Sequence, residues 1–369
     1  MDAQLETTAE VQAAIRCIYC QQLNPLNCMT SVPVIPRYLG GAFAPSSYQL
    51  TRACRRCQAE LTRRVDACFE RAWSVSEALA QAAGRLAARH PHIHPPLRCL
   101  GRIALPIPGM RAEEIAEYWQ GPEGEQLVLI RAADDATQRC AGPGPHADNR
   151  AYCFLEDRPG FQSGLATLRD GFRHAPPRKV LGGLAGLHSP HARGFCPPTA
   201  TDRQALAYLH ATLGRGDAPE CQPYPHAPCE TAFMSKLALG TGVALFGEKL
   251  LRTAHGQRLS HALWSGSDPT ATLLTARPPV HQGHGRPSPF IGDSGAVSIL
   301  IKPGKCLSLT LCINQALLWT IELASGKDLT AEDHLKIGHG RILNLFEPLR
   351  MGHEASLPEY LRRRIDNAR

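Results

Sequence analysis

A chain of 369 residues, 43% hydrophobic and 20% charged, is long enough for two or three packed units and too apolar for a wholly disordered tail. No apolar run reaches the roughly 18 residues that a membrane-spanning helix needs. The opening MDAQLETTAE is acidic and polar, unlike a secretory or transit leader, so the expected location is cytoplasmic with no membrane partner. A net charge of +7 permits a polyanionic partner without requiring one.

Residues 1–75 read as a cysteine-bearing module with a trailing helix. Ala59, Leu61, Val65, Cys68, Phe69, Ala72 and Trp73 form an approximate helical stripe, and glycine is absent until Gly84, which predicts helix over 57–90. HPHIHPPLRC (90–99) then breaks the chain with prolines. Residues 100–230 read as a mixed α+β region. EQLVLIRA (125–132) is its clearest strand, AGPGPHADNR (141–150) a turn-rich loop and TATDRQALAYLHATLG (199–214) a helix. APPRKVLGGLAGLHSPHARGFCPP (175–198) reads as an irregular connector. Residues 231–369 close the chain. CETAFMSKLALGTGVALFGEKLLRT (229–253) predicts a helix weakened at Gly240–Gly242, and AHGQRLSHALWSG a second helix. The apolar runs of GAVSILIKPGKCLSLTLCINQALLWTIELA (295–324) predict an antiparallel meander, and YLRRRIDNAR a basic tail.

Fourteen cysteines spread over a long chain without an export signal point to reduced thiols and metal ligation rather than to a disulfide scaffold. The strong pattern is CIYC (17–20) followed by CRRC (54–57). Each CxxC turns two thiolates toward one point, so Cys17, Cys20, Cys54 and Cys57 complete a closed tetrahedral Zn²⁺ site with no open position for water. Such a zinc is structural and supports a module too small to rely on its own core. A redox-active CxxC calls for one motif in a different setting. CQPYPHAPC (221–229) contains Cys221, His226 and Cys229, but its spacing suits a metal poorly.

Positive charge gathers at the second cysteine pair. Arg52, Arg55 and Arg56 surround the start of a helix that Arg63 and Arg64 continue, an arrangement suited to holding phosphates. The competing reading is a solvated basic helix face. Other signals are thinner. His90, His92 and His94 alternate in a proline-rich connector, and GDSG (292–295) matches a serine-protease nucleophile turn over four residues only. The histidines of DHLKIGHG and HQGHG lack metal-ligand spacing, and GTG (240–242) lacks the lysine of a phosphate loop.

The order CIYC, PVIPRYLGG, TRACRRCQAEL resembles the HNH endonucleases with a ββα-metal (treble-clef) core, over roughly residues 15–72. MSKLALGTGVALFGEKLL and the terminal meander look like the accessory C-terminal part of longer HNH-type proteins. The resemblance implies an α+β fold: an N-terminal zinc-bound treble-clef/HNH-like module, then a mixed α+β domain ending in helices and an antiparallel β-meander. It also implies a general-base histidine just before the VIP strand and a catalytic divalent cation separate from the zinc. Here the histidine position is Pro33, which has no proton to exchange. The polar position before it is Val32, and the asparagine after the second CxxC is Gln58. Loss of a positioned base alone costs about 10² to 10⁴-fold in rate. The expected function is therefore a zinc-stabilised protein that binds DNA or RNA without cutting it. Two alternatives stand beside it: an active Mg²⁺- or Mn²⁺-dependent endonuclease with a rearranged site, and a zinc-finger subunit of an RNA-guided or other defence ribonucleoprotein complex.

Overall fold

The computed structural model describes residues 14–90, 92–133, 149–155, 161–172, 177–182, 193–213, 219–224, 227–266, 274–277 and 292–366. The chain opens with a small hairpin, β1 (Ala14–Arg16) against β2 (Leu23–Pro25), followed by a second, β3 (Met29–Pro33) against β4 (Gln49–Cys54). Three short 3₁₀ turns fill the loop between β3 and β4, and they explain the glycine pair of PRYLGG. Gly40 sits in the left-handed region at φ 88°, and a Cβ on Gly41 would lie 1.7 Å from the Ile35 carbonyl oxygen. From β4 the chain passes directly into α1 (Arg55–Leu61), a π-helical turn over 62–66 and α2 (Ala67–Arg71).

The helix expected over 57–90 is interrupted at Ala72, whose φ of −52° and ψ of 125° are extended. α3 (Trp73–Ala87) follows the break. Neither glycine nor proline marks the break. It occurs where buried Arg71 reaches into the next unit, so its cause is tertiary.

The middle unit contains β5 (Arg98–Ile103), β6 (Glu114–Gln120), β7 (Gln126–Ala132), β8 (Arg150–Phe154), α4 (Phe161–Asp170), β9 (Arg178–Leu181), α5 (Ala200–Leu213) and β10 (Cys221–Gln222). Its sheet runs β10-β5-β6-β7-β8-β9, antiparallel except for the β8–β9 pair, which α4 joins in parallel. β7 and α5 fall where the sequence predicts them. β9 lies inside the stretch that reads as an irregular connector, because four residues flanked by proline and glycine carry little pattern until they pair with β8. Both faces of the sheet are covered. Tyr118, Val128, Ile130 and Tyr152 pack with Leu209 of α5, and Trp119, Leu127, Leu129 and Cys153 with Leu168 of α4. Buried Lys179 of β9 donates to the carbonyls of Leu168 (2.9 Å), Arg169 and Gly171, so one ammonium caps the C-terminal end of α4.

The last unit begins with α6 (Ala227–Phe246), a 3₁₀ turn over Glu248–Arg252 and α7 (Ala254–Ser265). β11 (Leu274–Arg277), β12 (Val297–Lys302), β13 (Cys306–Ile313), β14 (Leu317–Ser325), α8 (Ala331–Ile337), β15 (Arg341–Phe346), β16 (Met351–Ser356) and α9 (Leu357–Asp366) follow. The sheet order is β11-β14-β13-β12-β15-β16, antiparallel throughout. The expected meander is its centre, with Asn314 and Gln315 both at positive φ in the tight β13–β14 turn. The described part of the basic tail, through Asp366, belongs to α9, which lays Leu357 and Tyr360 on the sheet. Among the described residues, no helix is long and apolar enough to cross a membrane.

α6 runs unbroken through Gly240–Gly242, where the sequence predicts a weak point. Those glycines serve close packing: a Cβ on Gly240 would stand 2.9 Å from Val34, and one on Gly242 2.1 Å from Leu250. α6 presents Cys229, Phe233, Lys236 and Gly240 at helical spacing to the N-terminal module. Cys229 is joined to Cys68 as a disulfide, with Cα atoms 6.0 Å apart, which differs from the expectation of reduced thiols. The Phe233 ring stacks on Phe69 at 3.8 Å, and Lys236 Nζ donates to both Asp66 carboxylate oxygens at 2.6 and 2.5 Å. Elsewhere α6 lies on β14. One apolar cluster therefore holds Cys17, Val34 and Leu61 together with Leu237, Leu309, Trp319 and Leu343.

Glu70, one turn after Asp66, is pushed up to about 7 by burial, with Arg71 opposing and the Asp66 charge adding to the rise. A carboxyl raised in the fold holds its proton more tightly folded than unfolded. Its effect is therefore a loss of stability as pH climbs from the ordinary carboxylate range through about 7. Glu70→Gln should flatten that slope and exceed the parent in thermal midpoint at pH 8. Equal slopes for the two proteins between pH 5 and 8 would refute this assignment.

Candidate metal centre

The four cysteines of the two CxxC pairs meet at one point. Cys17 and Cys20 sit in the tight loop between β1 and β2, closed by Cys17 N donating to the Gln22 carbonyl (2.9 Å) and Gln21 N to the Cys17 carbonyl (2.8 Å). Ile18 N donates to the Arg52 carbonyl (3.0 Å), which ties this knuckle to β4. Cys54 ends β4 and caps α1, its sulfur accepting from Cys57 N at 3.5 Å, and Cys17 Sγ accepts from Cys54 N at 3.4 Å. The backbone thus donates to the sulfurs, which favours thiolates.

All four sulfurs lie within 4.8 Å of one another, and Cys20 Sγ is 4.0 Å from Cys54 Sγ. Tetrahedral coordination at a Zn–S distance of about 2.3 Å requires sulfur separations of roughly 3.8 Å. Donor type, number and spacing all fit zinc. Cys17, Cys54 and Cys57 are buried and Cys20 is half-buried, and four sulfurs would fill all four positions of a tetrahedral ion. The Cys57 thiol, hydrogen-bonded to Cys17, holds Cys17 down to about 4, while that same contact and burial push Cys57 up. Packed thiols divide their protons in this way, and a divalent cation removes the conflict by taking all four as thiolates. Among the described residues, no other group of three or more His, Cys, Asp or Glu side chains converges like this.

The five arginines singled out in the sequence differ in their partners. Arg52 pairs with Glu248, and Arg63 and Arg64 both pair with Glu60 at 3.2 and 2.9 Å. Arg55 and Arg56 are exposed and have no acidic partner among the described residues; Arg56 reaches only the Gln22 side-chain carbonyl at 3.5 Å. Pro33 ends β3 opposite Gln49, Val32 is buried, and the Gln58 amide donates to Thr62 Oγ1 at 3.1 Å.

The thinner signals do not assemble. His90 and His92 meet edge to face, whereas His94 turns to Ser163 Oγ at 3.4 Å. In GDSG, Ser294 accepts from Arg85 (2.8 Å), and Asp293 accepts from Asn344, Tyr360 and Arg364, so the turn anchors α9 to the sheet. Asp333 of DHLKIGHG caps α8 in a reciprocal box with Thr330. The weighed second site is undone at Cys229, which is bonded to Cys68, and Cys221 donates to the Pro219 carbonyl at 3.2 Å. His226 and HQGHG lie outside the described residues.

Two features escaped sequence reasoning. Lys236 and Asp66 are 170 residues apart, and nothing local announces their pairing. Trp264 reads only as part of a second short helix, yet its indole N–H donates to the Tyr19 carbonyl inside the cysteine knuckle at 3.0 Å. No family model matches the chain, and neither a curated protein nor a solved structure matches it significantly. The fold and the centre together define a mixed α+β protein with a four-cysteine cluster that can hold a structural metal ion.

Proposed function

We propose that this chain is a zinc-stabilised, nucleic-acid-binding protein built on a treble-clef, HNH-like module that has lost its cutting residues. Cys17, Cys20, Cys54 and Cys57 would hold the zinc, whose contribution is a cross-link between the knuckle and the start of α1. The observation that carries the reading is the placement of Arg55 and Arg56. They are the two residues between the ligands Cys54 and Cys57, so the turn that the metal braces is the turn that carries two exposed, acid-free guanidiniums. A braced turn fixes where the two arginines leave the backbone, and paired guanidiniums favour phosphate contacts.

The knuckle, hairpin and helix order (β1–β2, β3–β4, α1) supports the treble-clef reading. Pro33 supports the loss of cleavage, because the end of β3 offers no group that takes a proton from water. Binding of labelled DNA and RNA by the zinc-loaded protein should fall steeply with salt. Arg55→Glu/Arg56→Glu should abolish it while zinc content stays at the parent level. Absence of binding at low salt, or binding indifferent to the double substitution, would overturn the proposal. Mg²⁺ or Mn²⁺ added to the same reactions tests the endonuclease alternative, since EDTA-sensitive cleavage would replace the binding reading. RNA that co-purifies with partner subunits would favour the ribonucleoprotein subunit.

A further inference from the structure

We infer that the nucleic acid bound at this centre is single-stranded, with an unpaired base stacked on Trp264; the inference rests on the nucleic-acid reading above and specifies its ligand. Trp264 is 43% exposed although its polar end is satisfied by the Tyr19 carbonyl. A tryptophan normally gains by burying its ring, and one held by its N–H with much of its surface in water is a platform already ordered before anything binds. The same helix touches the knuckle again two turns earlier, where the Gln257 amide donates to Gln21 Oε1 at 3.1 Å. Gln257, His261 and Trp264 therefore form an exposed stripe of α7 lying along the knuckle.

One of the two basic side chains meets the same loop. Arg56 contacts Gln22, only three residues beyond Tyr19, so the two contact points are at most roughly 11 Å apart along the chain. Leu23, 63% exposed, follows immediately and adds apolar surface. A fixed aromatic surface beside two acid-free arginines is the pairing that single strands use: the cations take the backbone, and the ring takes a base of any identity. A duplex keeps its base faces stacked inside and has nothing to offer the indole. An acidic peptide would satisfy the arginines and leave the ring unused.

The test is fluorescence anisotropy with the full-length, zinc-loaded protein and labelled 20-nucleotide strands of oligo-dT or oligo-U, against a duplex of equal length. Single strands should bind more tightly than the duplex. Trp264→Ala should weaken single-strand binding about 5- to 150-fold with little change in salt slope or zinc content. Trp264→Phe keeps a ring and loses the N–H, so it should recover most of the affinity and separate stacking from a structural role. Trp73→Ala, which removes another exposed indole, should change nothing. The inference falls if Trp264→Ala binds like the parent, if Trp264→Phe is as weak as Trp264→Ala, or if a polyglutamate peptide displaces the strand and depends on Trp264 as strongly. Each of those results leaves the nucleic-acid reading standing as long as Arg55→Glu/Arg56→Glu abolishes binding. Failure of the parent to bind any nucleic acid removes both.

Discussion

Cys57→Ser is expected to release the metal and to unfold far more than the N-terminal module. Structural zinc contributes about 10–16 kcal/mol in small zinc-binding domains at neutral pH, comparable with the roughly 5–15 kcal/mol by which a whole domain is stable. The loss cannot stay local, because Cys17, Cys54 and Cys57 belong to the same apolar cluster as α6 and the inner face of the C-terminal sheet. Without the metal the knuckle and α1 lose their common anchor. Phe69, Asp66 and Val34 then no longer present a fixed surface to Phe233, Lys236 and Gly240. Metal analysis should give one zinc per parent chain and none for the variant. Amide exchange should quicken through α6 and β12–β14 while β6–β8, which pack in separate clusters, stay slow. A zinc-free protein that melts like the parent, or unchanged protection in α6, would refute this coupling.

Glu117→Gln is expected to cost about 3–5 kcal/mol at neutral pH, the range for removing one partner of a buried ion pair. Glu117 is 0% exposed and joins two units of the protein. One carboxylate oxygen accepts from Arg131 Nε (2.7 Å) and Tyr224 (2.5 Å), and the other lies 3.3 Å from Arg71 Nε and accepts from Trp119 (3.2 Å). Glutamine keeps the shape but removes the negative charge that Arg71 and Arg131 share in the interior. Burial pushes the Glu117 carboxyl up, but Arg131 and then Arg71 outweigh it and bring it down to about 2, from an ordinary 4.5. Its contribution is therefore complete above about 4.5 and is lost as pH falls from there through about 2. Urea midpoints should separate the two proteins widely at pH 7 and bring them together near pH 2. A gap of the same size at both pH values would mean that charge is not what Glu117 supplies.

How much of this was legible in the residues depended on the range over which the information is written. The ligands were legible because a CxxC turn places its own two sulfurs, and two such turns in one small module have few ways to avoid each other. The helix over 200–213, the strand over 126–132 and the central meander were legible for a similar reason, since periodicity records which side of an element faces a core. Arg55 and Arg56 could be picked out as charges on the turn between Cys54 and Cys57, but the residue pattern sets them level with Arg52, Arg63 and Arg64. Only the folded chain brings Glu248 to Arg52, whereas Glu60 stands three and four residues before Arg63 and Arg64, at ordinary helical pairing distance.

What the amino-acid order determined by itself is the four-cysteine clamp, the strand-and-turn frame that follows it, and the proline at the end of β3. Those depend on covalent neighbours and on glycine and proline geometry, which act within a few residues. What only the tertiary structure decided is the use made of the frame. It breaks the helix at Ala72, next to the Arg71 that reaches Glu117, keeps α6 continuous through two glycines, and sets Trp264 against the knuckle. Each of those joins groups distant in sequence, where loop closure and packing, rather than local propensity, set the free energy.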